Sequence, residues 1–269
     1  MTTPTDHDPA LDPDLALAEA LRAVKDGCAE LAKGSRKLGR LRVTAKSPGD
    51  ISSEIDRRAE AAIIGRLRAA YPSHAFTGEE SGDSGVSPFR WIVDPIDGTV
   101  NYVHGFPYYA VSLALEANGK IALGVVADPV RGEFFTAVAG RGAYMNGKRL
   151  RVSSCPDLER AVVGTVVPPP RFAGMEEYLE YFCRVARTCA GVRRAGAAAL
   201  DLAYVAAGRL DGFFVVSLQT WDIAAGTLLV AEAGGAVADV DGADDPLRTN
   251  RLVAANPVLL PEILALFRR

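Results

Sequence analysis

The sequence lacks any apolar run of membrane-spanning length, and its first fourteen residues have neither the basic start nor the apolar centre of a signal peptide. We therefore expect a cytoplasmic protein with no membrane association and a disordered tail over residues 1–14. The four cysteines, Cys28, Cys155, Cys183 and Cys189, show no C-x-x-C spacing. The absence of this spacing argues against the common zinc and redox motifs. It predicts free thiols, as in a reducing cytoplasm.

The chain also lacks an excess of positive charge, with 30 Lys and Arg against 33 Asp and Glu and a net charge of −3. Nucleic acid is therefore not expected as a partner. Hydrophobic residues make up 49% of the 269 residues, enough for a large core. This core belongs either to one large domain or to two intimate subdomains. We divide the chain into an N-terminal α+β subdomain over 15–152, which carries the metal-binding motifs, and a C-terminal α/β subdomain over 153–269, which completes the site.

The most informative segment is Trp-Ile-Val-Asp-Pro-Ile-Asp-Gly-Thr-Val-Asn over residues 91–101. Its apolar start predicts a buried strand that delivers Asp94 to the strand's carboxyl end. Pro95 has no N–H to donate, so the backbone leaves the ladder here and frees the carbonyl of Ile96. With Asp97, this gives an oxygen-only set of ligands, which suits Mg²⁺ or Mn²⁺ better than zinc.

Gly98 and Thr99 follow on the same turn. Glycine lets the backbone bend freely, so successive N–H groups can point the same way and form a nest for a phosphate. The segment therefore predicts that a metal and a phosphate bind side by side.

Two distant segments carry further acids. Glu79 and Glu80 lie in a Gly-bounded loop after a short apolar run, and Asp222 lies at or near the start of an Ala-rich helix. Taken one at a time, each has a structural alternative: Asp222 as a helix N-cap, the two glutamates as solvated loop charge, and the Asp94 turn as an Asx-stabilised loop. Their joint occurrence favours a functional site.

Three motifs follow one another along the chain: the acid loop, then Asp-Pro-Ile-Asp-Gly-Thr, then Trp-Asp-x-Ala-Ala-Gly. Their order resembles that of the inositol monophosphatase family. The wider superfamily includes fructose-1,6-bisphosphatase and 3′-phosphoadenosine-5′-phosphate phosphatase. The segment Arg-Arg-Ala-Gly-Ala-Ala-Ala-Leu-Asp-Leu-Ala-Tyr over 193–204 is similar to the bacterial inositol-1-monophosphatase branch. The resemblance covers nearly the whole chain and implies an α+β fold, a layered α-β-α-β-α sandwich, with the site between its halves.

The resemblance also implies roles for individual residues. Glu79 and Thr99 orient and deprotonate the nucleophilic water, assisted by Asp97 beside the leaving alcohol, and no phosphoenzyme forms. Two or three Mg²⁺ ions, with Mn²⁺ as an alternative, are held by Glu79, Asp94, the Ile96 carbonyl, Asp97 and Asp222. The substrate is held by Asp97, Gly98, Thr99, Gly196, Ala197, Ala198 and Asp222. Lys46, Asp50 and Asp56 resemble a segment that closes over the site and touches a third metal. A homodimer is expected.

One position departs from the family pattern. Members that prefer inositol phosphates carry a glutamate at the end of the strand before Trp-Asp, and this chain has Val215 there. Ala197 likewise replaces a usual Ser or Thr. We expect an Mg²⁺-dependent phosphatase for inositol 1-phosphate or a related polyol or sugar phosphate. The alternatives are histidinol phosphate, 3′-phosphoadenosine 5′-phosphate and fructose 1,6-bisphosphate, or an added non-catalytic role with ribosomal RNA transcription proteins, known for close bacterial relatives.

Hydrophobic periodicity predicts the surrounding elements. Spacings of three and four indicate a first helix ending near Gly34 and a second running from a capping Ser53 to Ala70. Asn-Gly pairs at 118–119 and 146–147 predict hairpins in an antiparallel meander between Tyr108 and Val152. Beyond Ser154, strands and helices alternate, as in a layered α/β arrangement.

Overall fold

A computed structural model describes residues 12–36, 38, 43–47, 50–243 and 246–268; the side chains of residues 45–47, 50 and 51 are not described. The helices are α1 (Pro13–Ser35), α2 (Glu54–Ala70), α3 (Thr99–Val103), α4 (Met175–Thr188), α5 (Ala198–Ala206), α6 (Thr220–Glu232), α7 (Pro246–Thr249) and α8 (Leu259–Phe267). The strands are β1 (Val43–Ser47), β2 (Asp50–Ser53), β3 (Ala75–Gly78), β4 (Gly82–Ser84), β5 (Phe89–Asp97), β6 (Ala110–Ala117), β7 (Lys120–Asp128), β8 (Glu133–Val138), β9 (Gly142–Met145), β10 (Lys148–Arg149), β11 (Val162–Thr165), β12 (Gly191–Arg193), β13 (Gly212–Val215), β14 (Ala236–Ala238) and β15 (Leu252–Ala255).

The N-terminal half contains an eight-stranded sheet in the order β10-β9-β8-β7-β6-β5-β3-β4. Strands β6 to β10 form the predicted antiparallel meander, and β5 pairs antiparallel with β6. Asn118 and Gly119, and likewise Asn146 and Gly147, all have positive φ, which the tight hairpin turns require and which Asn and Gly tolerate best. Both hairpin predictions are confirmed.

Helices α1 and α2 cover one face of this sheet. Their small and aliphatic residues pack on Trp91 and Val93 of β5 and on the matching residues of β6 and β7. Helix α2 begins as predicted, because the hydroxyl of Ser53 accepts the N–H of Ile55 while Asp56 accepts the N–H of Ser53. This capping arrangement also buries Asp56 at the edge of the site.

A second sheet of five strands, in the order β12-β11-β13-β15-β14, forms in the C-terminal half. Helices α5 and α6 lie between the two sheets, and their Ala-rich surfaces contact residues of both, such as Ile92 and Phe213. Helices α4 and α8 cover the outer face of the second sheet, where Tyr178 and Phe267 pack on Phe214. The order of layers is therefore helix, sheet, helix, sheet, helix, which confirms the predicted α+β sandwich.

Close contacts hold the central helices in place. A Cβ on Gly124 of β7 would lie 2.9 Å from the carbonyl oxygen of Ala225, so α6 lies directly on the sheet. A Cβ on Gly226 would lie 2.5 Å from a Leu202 methyl, so α5 and α6 also pack closely. The start of each helix is thereby directed toward the end of β5. None of the described helices is long and apolar enough to span a membrane.

Candidate metal and phosphate site

The site begins where β5 leaves its ladder. Asp94 pairs with Ser112 and Asp97 pairs with Ala110, so Pro95 and Ile96 together oppose a single residue of β6. This bulge follows from the missing proline N–H and turns both carboxylates out of the sheet. The Asx interpretation is also borne out locally, because Asp94 Oδ1 accepts the N–H of Ile96 at 2.9 Å. The turn is stabilised by one of the acids that it presents.

Helix α6 brings the third acid. Asp222 is the third residue of α6 and not its N-cap, which is Gln219. Its Oδ2 accepts the N–H of Gln219 at 2.7 Å, so it caps the helix from the third position. One oxygen each of Asp94, Asp97 and Asp222 lie within 4.8 Å of one another. Segments more than a hundred residues apart in the sequence therefore contribute to one acidic cluster, which is the arrangement that the motifs predicted.

Electrostatics indicate that this cluster needs a counter-charge. Burial raises the pKa of Asp94 well above its ordinary value, and the neighbouring charges of Glu79, Asp97 and Asp222 raise it further. The pKa of Asp97 rises to about 7, chiefly through burial, against the opposing effect of hydrogen bonds from backbone N–H groups. Buried carboxylates that repel one another and offer only oxygen ligands fit a hard divalent cation.

The structure surrounds the acidic cluster with the predicted phosphate-binding turns. Asp97 accepts the N–H of Ala198 at 3.0 Å and that of Ala199 at 2.7 Å, which joins the end of β5 to the first turn of α5. Gly98 has a φ of 94°, and a Cβ there would lie 3.0 Å from the carbonyl oxygen of Gly196. Glycine is required at this position by conformation and by space.

Thr99 makes a contact that the sequence did not suggest. Its hydroxyl lies 2.9 Å from Asp56 Oδ1 and 3.0 Å from the Ile96 carbonyl oxygen. The other oxygen of Asp56 accepts both the N–H of Ser53 at 2.7 Å and its hydroxyl at 2.6 Å. Burial raises the pKa of Asp56. The sequence placed Asp56 three residues after a capping serine and in a segment that resembles the family's closing loop, and neither signal indicated a bond to Thr99.

The glutamate loop lies beside β5. The N–H of Glu79 bonds to the carbonyl of Val93, and its carboxyl is close enough to Asp94 to raise the pKa of that residue. Glu80 accepts the hydroxyl of Ser52 at 2.9 Å, and its charge adds to the raised pKa of Asp56. The side chains of Lys46 and Asp50, which were predicted to close over the site, lie outside the described residues.

The two positions that depart from the family pattern, Val215 and Ala197, are both buried. Val215 ends β13, pairs with Leu252 and is 0% exposed in the core between the second sheet and α5 and α6. Ala197 is also fully buried, and precedes the first residue of α5. Both side chains are therefore part of the packed interior, and neither offers a polar group to a substrate.

The chain was compared with known proteins. The model of the inositol monophosphatase family matches residues 12–269. A "Nus factor SuhB" of Pseudomonas aeruginosa is 46% identical over 243 residues, 88% of this chain and 90% of the relative. An "Inositol-1-monophosphatase" of Mesorhizobium japonicum is 46% identical over 226 residues, 83% and 85% of the two chains. The crystal structure of the extragenic suppressor protein suhB from Bartonella henselae superposes with a TM-score of 0.92 at 41% identity, covering 95% of this chain and 99% of that one.

The match of the family model extends from the start of α1 beyond the end of α8, and so includes every layer of the sandwich and every turn of the site. The acidic cluster agrees with the metal dependence that is general to this family. The chain belongs to the inositol monophosphatase family and is a phosphatase, a hydrolase of phosphate esters.

Proposed function

We propose that this protein hydrolyses a small phosphate monoester with Mg²⁺ as the cofactor, and that its substrate is inositol 1-phosphate or a related polyol or sugar phosphate. The observation that carries this proposal is the convergence of Asp94, Asp97 and Asp222 beside the N-terminus of α5. Carboxylates there suit a cation, and backbone N–H groups next to them suit the phosphate that the cation would share.

In this proposal Glu79, Asp94, the Ile96 carbonyl, Asp97 and Asp222 hold two or three cations. When bound, the cations supply positive charge to the phosphate and lower the pKa of a water. Mn²⁺ has the same preference for oxygen ligands and is an alternative to Mg²⁺. The residues are suited to this because their carboxylates, two buried and two half-buried, repel one another. A bound cation supplies the counter-charge that offsets this repulsion.

Thr99 is proposed to guide the attacking water. Its single proton bonds to Asp56 Oδ1 or to the Ile96 carbonyl, 2.9 and 3.0 Å away. The lone pairs of the hydroxyl oxygen are then free to accept a hydrogen bond from a water in the cleft. A proton taken from that water by Thr99 would be matched by transfer of the hydroxyl's own proton to Asp56 Oδ1. Asp56 keeps the hydroxyl in this orientation, and Glu79 acts on the same water from the side of Asp94. Asp97 and Asp222 lie near the leaving alcohol.

The phosphate would be held by backbone groups of Gly98 and Thr99 and by the turn Gly196-Ala197-Ala198, in which the N–H of Ala198 already donates to Asp97. Helix α5 adds the positive end of its dipole at the same place. Because these contacts use the backbone, replacing the usual hydroxyl residue by Ala197 leaves them intact. They recognise a phosphate without selecting the alcohol that carries it.

Selection among alcohols needs side chains that contact the alcohol, and Val215 stands where the family glutamate would make such a contact. A valine with no exposed surface gives ring hydroxyls no carboxylate to bond with. Such a bond is worth about 1.5 to 3 kcal/mol when charged. The alternatives histidinol phosphate, 3′-phosphoadenosine 5′-phosphate and fructose 1,6-bisphosphate therefore stay open beside inositol 1-phosphate.

A panel of phosphate monoesters tests the proposal. Phosphate release should require Mg²⁺ and should be fastest for one polyol or sugar phosphate, with 2-glycerophosphate as a structurally unrelated reference. Val215→Glu should raise kcat/KM for inositol 1-phosphate by at most about ten- to a hundredfold and leave that for 2-glycerophosphate unchanged, if the site accepts the charge. Equal losses on both substrates, with a lower melting temperature, would show that the buried glutamate disrupts the core. Strong selectivity of the wild type for inositol 1-phosphate would contradict this account of Val215.

The relative from Pseudomonas aeruginosa is a Nus factor, which supports a second role for this chain. We propose that this chain also binds proteins of ribosomal RNA transcription complexes, as a cytoplasmic homodimer. The four free cysteines agree with a reducing compartment. Affinity capture of purified transcription factors should succeed equally with wild type and with Asp97→Asn, because the contacts would not use the catalytic acids. Failure with both proteins would refute the second role and leave the first intact.

A further inference from the structure

Asn101 forms a bridge between two segments of the site. It lies in α3, two residues after Thr99, and its side chain is half-buried. The amide nitrogen Nδ2 lies 2.7 Å from the carbonyl oxygen of Tyr108 and 2.8 Å from that of Ala195. An amide NH₂ group has two hydrogens, so both are used. The second bond joins the N-terminal half of the chain to the turn that precedes α5.

That turn is the one whose N–H groups cap Asp97. Ala195 is followed by Gly196, Ala197 and then Ala198, whose N–H lies 3.0 Å from Asp97 Oδ1. Asn101 therefore fixes one end of the turn and Asp97 fixes the other. Asn101 and Ala195 are 94 residues apart along the chain, and Asp97 and Ala198 are 101 residues apart. Between these two bonds, the carbonyl oxygen of Gly196 lies so close to Gly98 that a Cβ there would be 3.0 Å away.

The acceptor on the other side of Asn101 is itself held firmly. The hydroxyl of Tyr108 donates to Asp201 Oδ1 at 2.5 Å, and Asp201 is 0% exposed in α5. The ring of Tyr108 also packs edge-on against Tyr204, with centroids 5.9 Å apart. Both carbonyl acceptors of Asn101 are thus attached to α5, one through the backbone and one through Tyr108.

We infer that Asn101 is a positioning residue: it sets the spacing between the Asp97-Gly98-Thr99 turn and the N-terminus of α5, and so the direction in which Asp97 presents its carboxylate. The inference rests on the proposed roles of Asp97 and of the α5 turn. Without the amide, the turn loses its hydrogen bond to α3, and Asp97 would have to hold the turn and bind a cation at once. Cation binding and phosphate binding should both weaken.

Three variants test this. Asn101→Asp keeps the shape but cannot donate, and Asn101→Leu is of similar size and adds no charge. The matched control is Asn256→Asp, because Asn256 also donates its amide to a backbone carbonyl, that of Cys155, at 2.9 Å. Its other function, capping α8 through Oδ1, survives in an aspartate. Asn256 follows Ala255, which pairs with Gly212 at the start of β13. It therefore lies near the start of this strand, whereas the chain leads from the other end of the strand to Asp222.

The measurements are Mg²⁺ affinity by titration calorimetry, kcat and KM for p-nitrophenyl phosphate, and melting temperature. Both Asn101 variants should bind Mg²⁺ more weakly and should lose about ten- to a hundredfold in kcat/KM, the usual scale for residues that orient metal ligands. Asn256→Asp should melt at a lower temperature with Mg²⁺ affinity and kinetics unchanged.

Unchanged Mg²⁺ affinity and kcat/KM in both Asn101 variants would overturn the inference, as would a loss confined to Asn101→Asp, which would mean that the added charge alone is harmful. If Asn101→Asp does not fold, the Mg²⁺ affinity and kcat/KM of Asn101→Leu and of the smaller Asn101→Ser test the inference instead. A wild type that binds Mg²⁺ but hydrolyses no monoester would refute the proposed function only, since the calorimetric comparison still tests Asn101.

Discussion

At the scale of single residues, the proposed role of Thr99 depends on its hydroxyl, which lies 2.9 Å from Asp56 Oδ1 and 3.0 Å from the Ile96 carbonyl oxygen. Thr99→Val has the same shape without the hydroxyl and should lower kcat by about a hundredfold or more, with a small effect on KM. Thr99→Ser should recover most of the rate. Steady-state kinetics check this, and a valine variant with wild-type kcat would remove Thr99 from the mechanism.

Asp201 is a buried acid whose influence falls on stability. Burial raises its pKa to about 7 from an ordinary 3.8, while the hydroxyl of Tyr108 and the charge of Arg194 act in the opposite direction. The charge of Asp201 in turn raises the pKa of Asp97. The folded state therefore binds more protons than the unfolded state between these values, so the contribution of Asp201 to stability falls as pH rises through this window.

Asp201→Asn should therefore be more stable relative to wild type at pH 8 than at pH 5, by at most about 2.7 kcal/mol, because about two pH units of the window lie above pH 5. The amide oxygen can still accept the hydroxyl of Tyr108. Denaturant unfolding in EDTA at the two pH values measures the difference. The titration of acids that do not interact with Asp201 cancels between the two proteins, whereas the pKa of Asp97 should fall in the variant, because the charge of Asp201 helps to raise it. An equal difference in unfolding free energy at both pH values would show that Asp201 does not titrate in this window.

At the scale of elements, the contact between α5 and α6 depends on a missing side chain. A Cβ on Gly226 would lie 2.6 Å from the Cβ of Leu202, which cannot move unless its helix moves. Gly226→Ala should lower the unfolding free energy by about 1 to 3 kcal/mol. Gly65 in α2 is the control, because a Cβ there meets nothing within 4 Å. Gly65→Ala should raise stability by about 0.5 to 1 kcal/mol. Thermal unfolding of both variants decides, and a stabilising Gly226→Ala would show that the helices are not closely packed.

The elements with strong periodicity or unambiguous turn residues could be predicted from the sequence. Both Asn-Gly hairpins, the capped start of α2 and the layered fold are examples. Helix α3 and the β1-β2 hairpin were not predicted, because a five-residue helix has no periodicity to detect and a pair of short polar strands has no apolar alternation. The limits of these elements depend on tertiary contacts.

The same distinction applies within the site. Asp94 and Asp97 were predictable because the strand, the proline and the glycine that present them are neighbours in the sequence. The bond from Thr99 to Asp56 spans 43 residues, and the bond from Asn101 to Ala195 spans 94. Such long-range contacts leave no local signal, and only the fold brings them together. The roles assigned to the site residues, and the division into 15–152 and 153–269, stay predictions.

At the scale of the whole molecule, the two halves share the core in which α5 and α6 lie. Ile92 and Phe135 of the first sheet and Phe213 and Leu252 of the second belong to the same buried cluster. The site lies at the edge of this shared core, so the acids from both halves are held by the packing of the entire fold. A cation that binds them should therefore stabilise the whole protein, by about 2.7 kcal/mol at a hundred times Kd.

The most direct measurement is phosphate release by EDTA-treated protein as Mg²⁺ is added back, for wild type and Asp94→Asn. Wild type should be inactive without the cation and should recover along a saturable curve. Asp94→Asn should remain at least about a hundredfold slower at saturating Mg²⁺, because a buried ligand and its charge are lost. Full activity of the wild type in EDTA, or wild-type turnover by Asp94→Asn, would contradict a phosphatase centre built on Asp94, Asp97 and Asp222.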